Sequence, residues 1–126
     1  MEVTPLLPEG RQVVQSYRDD GFTIAGERHQ GSVLVLPDRT IAWPVTRFDE
    51  VTEEALEPLL SAPQPPEVLV LGSGSGFRMI DPRLRQRLRA RGVVVECMAT
   101  PAACRTFNVL LVEDRKVAAA LITIGS

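Results

Sequence analysis

The sequence of 126 residues holds two cysteines, one histidine and one lysine, and only 5% of it is aromatic. Two cysteines cannot build a disulfide framework, which points to a reducing compartment, the cytoplasm. One histidine and two cysteines fall short of the four Cys/His ligands of a structural zinc site, so no metal centre is expected. A Ser/His/Asp or Cys/His triad would have to use His29. That residue lies in the polar run Glu27-Arg28-His29-Gln30, which reads as a surface turn. No apolar run approaches the roughly 20 residues of a membrane span. The opening MEVTPLLPEGRQ has no basic start followed by an apolar stretch, as a secretory signal would.

What is present is ordinary for one folded domain: 44% hydrophobic and 24% charged residues. Residues 1–11, with Pro5, Pro8 and Gly10, read as a flexible N-terminal arm, and 12–126 as a single domain. The net charge of −2 hides an asymmetry. Residues 1–66 carry 11 acids against five arginines, and 67–126 carry five acids against nine bases. A nucleic-acid-binding domain is usually basic over its binding surface, so no nucleic-acid partner is expected. The unlike halves allow one copy to meet another, which makes a homo-oligomer one possible partner arrangement.

Between residues 12 and 43, short β-like runs alternate with turn signals such as Asp20-Gly21, Gly26, Gln30-Gly31 and Pro37-Asp38. This half predicts an antiparallel β meander. Thr52 then caps a helix with Glu53 and Glu54 in its first turn. From Val68 the order becomes β-α-β-α-β, with Asp81-Pro82 and Thr100-Pro101 each read as N-cap plus first helical residue. The strands near Val68 and Val93 should be parallel neighbours joined by a crossover. The fold class is therefore α/β.

Two places are candidate sites. The first is Gly72-Ser73-Gly74-Ser75-Gly76, at the C-terminal end of a strand expected to be buried, where α/β proteins bind ligands. Glycine amides and serine hydroxyls suit an anion, and Thr100 and Arg105 lie at the start of the last helix, at the same sheet edge. The run matches neither phosphate fingerprint: Phe77 stands where a dinucleotide loop needs its third glycine, and no Gly-Lys-Ser/Thr stands at the spacing of a P-loop. A tight turn is the plainer reading, and no cofactor is implied. The second is the last helix itself. A helical wheel turns Ala103, Phe107, Leu110 and Leu111 inward and Arg105, Asn108, Val109 and Val112 outward, a candidate interaction surface. Cys97 and Cys104 lie outside any Cys-x-x-Cys motif and read as buried small apolar residues. The run Arg83, Arg85, Arg87, Arg89, Arg91 reads as a solvated helix face, or as the match for an acidic partner.

Three stretches carry a resemblance: Val68-Leu-Val-Leu-Gly72-Ser-Gly74; Gly92-Val-Val-Val-Glu96-Cys-Met98-Ala-Thr100-Pro-Ala-Ala103-Cys104-Arg105-Thr106-Phe107-Asn108-Val-Leu110; and Glu113-Asp-Arg115-Lys-Val117-Ala-Ala-Ala120-Leu121. Together with Gly31–Pro37 and Trp43, they resemble the domain family that contains mitochondrial NADH dehydrogenase (complex I) assembly factor 3. An adipogenesis-associated homologue and many small bacterial and archaeal proteins of unknown function belong to the same family. This sequence has Phe107 where the family commonly has tyrosine, Ala99 where it has aspartate and Asp114 where it has glycine. The resemblance implies a three-layer α/β fold around a central mixed sheet and no established catalysis. It implies a binding or assembly module; a small-ligand or anion-binding protein, with an enzyme included, is the alternative. The chain is identified as a small bacterial member.

Overall fold

The computed structural model describes residues 11–125, so the arm expected over 1–11 lies outside the described residues but for Arg11. The chain runs β1 (Val14–Arg18), β2 (Gly21–Ile24), β3 (Glu27–Gln30), β4 (Val33–Val35), β5 (Thr40–Ala42), a short 3-10 turn (Phe48–Glu50), α1 (Glu53–Leu60), β6 (Val68–Gly72), α2 (Pro82–Ala90), β7 (Val94–Met98), α3 (Thr100–Val112) and β8 (Val117–Leu121). The main sheet has the order β5-β4-β8-β6-β7. Strand β6 is parallel to β7 and β8, and β4 is antiparallel to β5 and β8, so the sheet is mixed. The expected β6-α2-β7 unit is present.

The N-terminal half is not one meander. Strands β1-β2-β3 form their own three-stranded sheet, whereas the β4-β5 hairpin joins the main sheet through β8. His29 accordingly sits in β3, paired with Phe22, and not in a turn.

The main sheet is covered on both faces. On one, Leu56 and Leu59 of α1 and Leu84 and Leu88 of α2 pack with Leu69, Leu71, Val95, Ala118 and Ala120. On the other, Phe107 and Leu111 of α3 pack with Val70, Ala119, Leu121 and the inner side chains of the small sheet, Phe22 and Ile24. Alternate residues of each strand feed opposite clusters, as the two-residue period of a strand requires. Strand β8 is buried at every position, which is why it reads Val-Ala-Ala-Ala-Leu without a polar residue.

Local signals act as expected at two helix starts. Thr52 Oγ1 accepts from the Ala55 amide (3.1 Å) and Asp81 Oδ1 from the Arg83 amide (2.8 Å). After α3 the chain turns through Asp114 at φ 58°, a left-handed conformation that favours glycine. That explains how a glycine could serve there.

Part of the arginine run on α2 finds acids within the chain. Arg87 pairs with Glu53 (3.2 Å), and Arg91 with Glu53 (3.0 Å) and Glu57 (2.9 Å). Arg91's fork, with help from Ser61, pulls the Glu57 carboxyl down to about 2. These exposed pairs add little stability. They do neutralise part of the contrast between the acidic and basic halves.

Candidate functional site

The glycine-rich run leaves β6 at the sheet end where α3 begins. Gly72 is there because of close approach: a Cβ on it would sit 2.7 Å from Thr100 Oγ1 and 3.1 Å from Thr100 Cα. The backbones then bind each other directly. The Thr100 amide donates to Gly74 O (2.8 Å), and the Gly74 amide donates to Thr100 Oγ1 (2.9 Å). The Thr100 hydroxyl donates in turn to Ile122 O (2.6 Å) at the end of β8. Thr100 is therefore not the cap of α3. Ala99 holds that position without a side-chain bond, and Thr100 is the first helical residue, fully buried.

Ser73 is equally occupied. Its hydroxyl donates to Gly76 O and accepts from the Arg78 amide (3.0 Å), and its own amide donates to Met98 O (2.9 Å). Among the candidate anion donors, Ser73, Gly74 and Thr100 thus bind the protein itself, and Ser75 is exposed. Among the described residues no buried side-chain nitrogen or oxygen lacks a hydrogen-bond partner.

The outer face of α3 divides. Arg105, Val109 and Val112 are exposed, the valines by 56% and 48%. Asn108 is not with them. It is 2% exposed, its Oδ1 accepting from the Val14 amide (3.0 Å) and its Nδ2 donating to Val14 O (2.8 Å). A helical wheel places Asn108 outside the apolar stripe, but the small sheet packs against that flank of α3. Asn108 thereby serves as a one-residue strand partner for β1. Arg105 forms no ion pair among the described residues, so its guanidinium is open to an outside acid.

The cysteines differ. Cys104 is fully buried, and burial pushes its thiol up to about 12. Cys97 is half-buried on β7, where an Arg85 nitrogen stands 3.7 Å from Sγ. The expectation that both are buried holds for Cys104 and is corrected for Cys97, because β7 lies at the sheet edge. A thiol reagent applied to the native chain is expected to label Cys97 within minutes and Cys104 only on unfolding. Mass spectrometry of the labelled peptides checks this.

Trp43 is a core aromatic, its Nε1 donating to Ala55 O (2.8 Å) and holding α1 to the sheet. Phe77 and Met79, each 61% exposed, were not legible as surface residues from their apolar character. The arrangement is thus a closed loop junction beside an open helix face. The family model described as "Protein of unknown function (DUF498/DUF598)" matches residues 14–122, nearly all of the described chain. The chain belongs to this family.

Within the DUF498 family, the chain is 38% identical over 109 residues to the mouse NADH dehydrogenase [ubiquinone] 1 alpha subcomplex assembly factor 3, covering 86% of this chain and 59% of that protein. The chain therefore spans about three-fifths of the length of that relative. An uncharacterised Rhodobacter capsulatus protein is 34% identical, with 90% of this chain and 86% of the relative covered. The solution structure of a Bordetella pertussis protein described as an Mth938-like domain matches with a TM-score of 0.84 at 28% identity, covering 100% of this chain and 94% of that one. Among the described residues no helix is long and apolar enough to cross a membrane.

Proposed function

We propose that this DUF498 chain is a cytoplasmic binding module of the assembly type, which acts by holding a protein partner and not by catalysis. Its docking face is the outer side of α3. The observation that carries this reading is the exposed pair Val109 and Val112 beside Arg105, an arginine with no ion pair among the described residues. Apolar side chains around a desolvated fork-shaped cation are the composition of interface centres. The name of the mouse relative, an assembly factor, supports the same reading. Two free thiols suit the cytoplasm. A second copy of the chain is the first partner to test, because the acidic and basic halves of two copies can meet and Arg105 is open to an outside acid.

The anion-binding alternative has less support, because the Gly74 amide and the Ser73 hydroxyl already donate within the junction, to Thr100 and Gly76.

Arg105→Ala is expected to change folding stability by less than about 1 kcal/mol, as for other exposed sites. It is expected to weaken self-association or partner binding roughly tenfold, the order of effect of an interface arginine. Thermal melting beside sedimentation and pull-down measures both. A large fall in melting temperature would make Arg105 a structural strut. Unchanged stability with unchanged binding would return it to a solvated surface.

A further inference from the structure

Strand β7 ends the main sheet, and among the described residues no strand lies on its outer side. Its backbone alternates. The Val94 amide donates to Glu67 O (2.9 Å) and Met98 O accepts from Ser73 (2.9 Å), so Val94, Glu96 and Met98 face β6. By the same alternation, the amides and carbonyls of Val95 and Cys97 face outward. Arg85 of α2 marks that direction, its Nη1 donating to Val95 O (2.7 Å).

Between α2 and this edge runs a groove of about 340 Å³, lined by Arg85, Gln86, Arg89 and residues 93–95. Among the described residues no acidic side chain lines it. Val94 is 41% exposed beside it, and Arg89 is exposed with no ion pair among the described residues. An open strand edge flanked by a helix is the geometry that accepts an extended segment as an added strand. The opposite edge, β5, has three residues and runs through Trp43 into Pro44, a poorer template.

We infer that β7 and α2 form a docking groove for an extended, acidic segment of a partner protein, which adds to the sheet as a strand. Main-chain bonds to Val95 and Cys97 supply the pairing, and Arg85 and Arg89 select carboxylates. Arg85 is a latch in the free chain. It holds the Val95 carbonyl until an incoming amide replaces it, which frees the guanidinium for the segment's acid. The inference does not depend on the α3 face, and either can fail alone.

The test uses the whole chain and a fluorescein-labelled peptide of alternating glutamate and valine. The same-length lysine–valine and glutamate–proline peptides serve as controls. The acidic peptide is expected to bind at least about tenfold more tightly than either control, since unlike charge and free amides are both required. Amide hydrogen exchange on binding should slow at Val95 and Cys97, and stay as it was at Val94 and Glu96, already paired with β6. Arg89→Glu, an exposed change, should abolish the preference for glutamate over lysine. Cys97→Pro should remove an outward donor while leaving the β6 ladder intact, and so weaken binding. No binding, equal binding of the lysine peptide, protection on β5 or α3 in place of β7, or self-pairing of β7 between two copies would each overturn the inference.

Discussion

Asn108→Ala is expected to cost about 3 kcal/mol of folding stability, the sum of two buried backbone groups left without partners. Alanine is the better helix former, by roughly half a kcal/mol, so propensity alone would make the change favourable. The loss comes from tertiary structure. The Asn108 amide gives Val14 both an acceptor and a donor, at 3.0 and 2.8 Å. Val14 is fully buried, so bulk solvent does not reach either group in the native chain. The bond pair also ties the small sheet to α3. Urea unfolding should show a lower midpoint with an unchanged slope. Asn108→Asp should be at least as damaging, because it loses the donor and places a carboxylate opposite the Val14 carbonyl. A cost of under 1 kcal/mol for both would show that water or a neighbour satisfies Val14.

Thr100→Val is the second large loss, expected at about 2–4 kcal/mol from the same kind of vacancy. The two side chains have nearly the same shape, so packing is preserved. What disappears is a hydroxyl that joins the Gly74 amide to the Ile122 carbonyl, at 2.9 and 2.6 Å. It is the clasp between the loop after β6, the start of α3 and the end of β8. Thr100→Ser keeps the hydroxyl and loses a buried methyl, at roughly 1 kcal/mol. The serine variant should therefore be the more stable of the two by thermal and urea unfolding. The opposite order would mean that the methyl group, and not the hydroxyl, holds the junction.

These two residues also mark where sequence reasoning stops. Elements fixed by local chemistry were legible: the Thr52 and Asp81 caps, the parallel pairing of β6 with β7, and the burial of β6. Asn108 and Thr100 take their roles from partners 94 and 22 residues away, and a helical wheel carries no such distance. The same limit explains the N-terminal half. Turn signals announce hairpins, but nothing local says that β1–β3 form a separate sheet while β4 and β5 join β8. The arginine run of α2 was legible as charge, and only packing reveals that α1 supplies the acids for Arg87 and Arg91.

At the candidate site, sequence pattern identified the exposed character of Arg105, Val109 and Val112 because these lie opposite a well-defined apolar stripe. It could not separate Asn108 from them, since the small sheet covers one flank of α3 and leaves the other side open. Arg85 was legible only as one member of the α2 arginine run, and its bond to a backbone carbonyl at the sheet edge was not.

The central claim is that the outer face of α3 holds a protein. A photo-crosslinking residue placed at Val109 of the whole chain in native cells tests it most directly, with the exposed position Glu54 on α1 as the control. The expected result is a discrete protein adduct from position 109, identified by mass spectrometry, absent from position 54 and diminished by Arg105→Ala. Adducts that are the same from both positions, or none from position 109, would contradict the account.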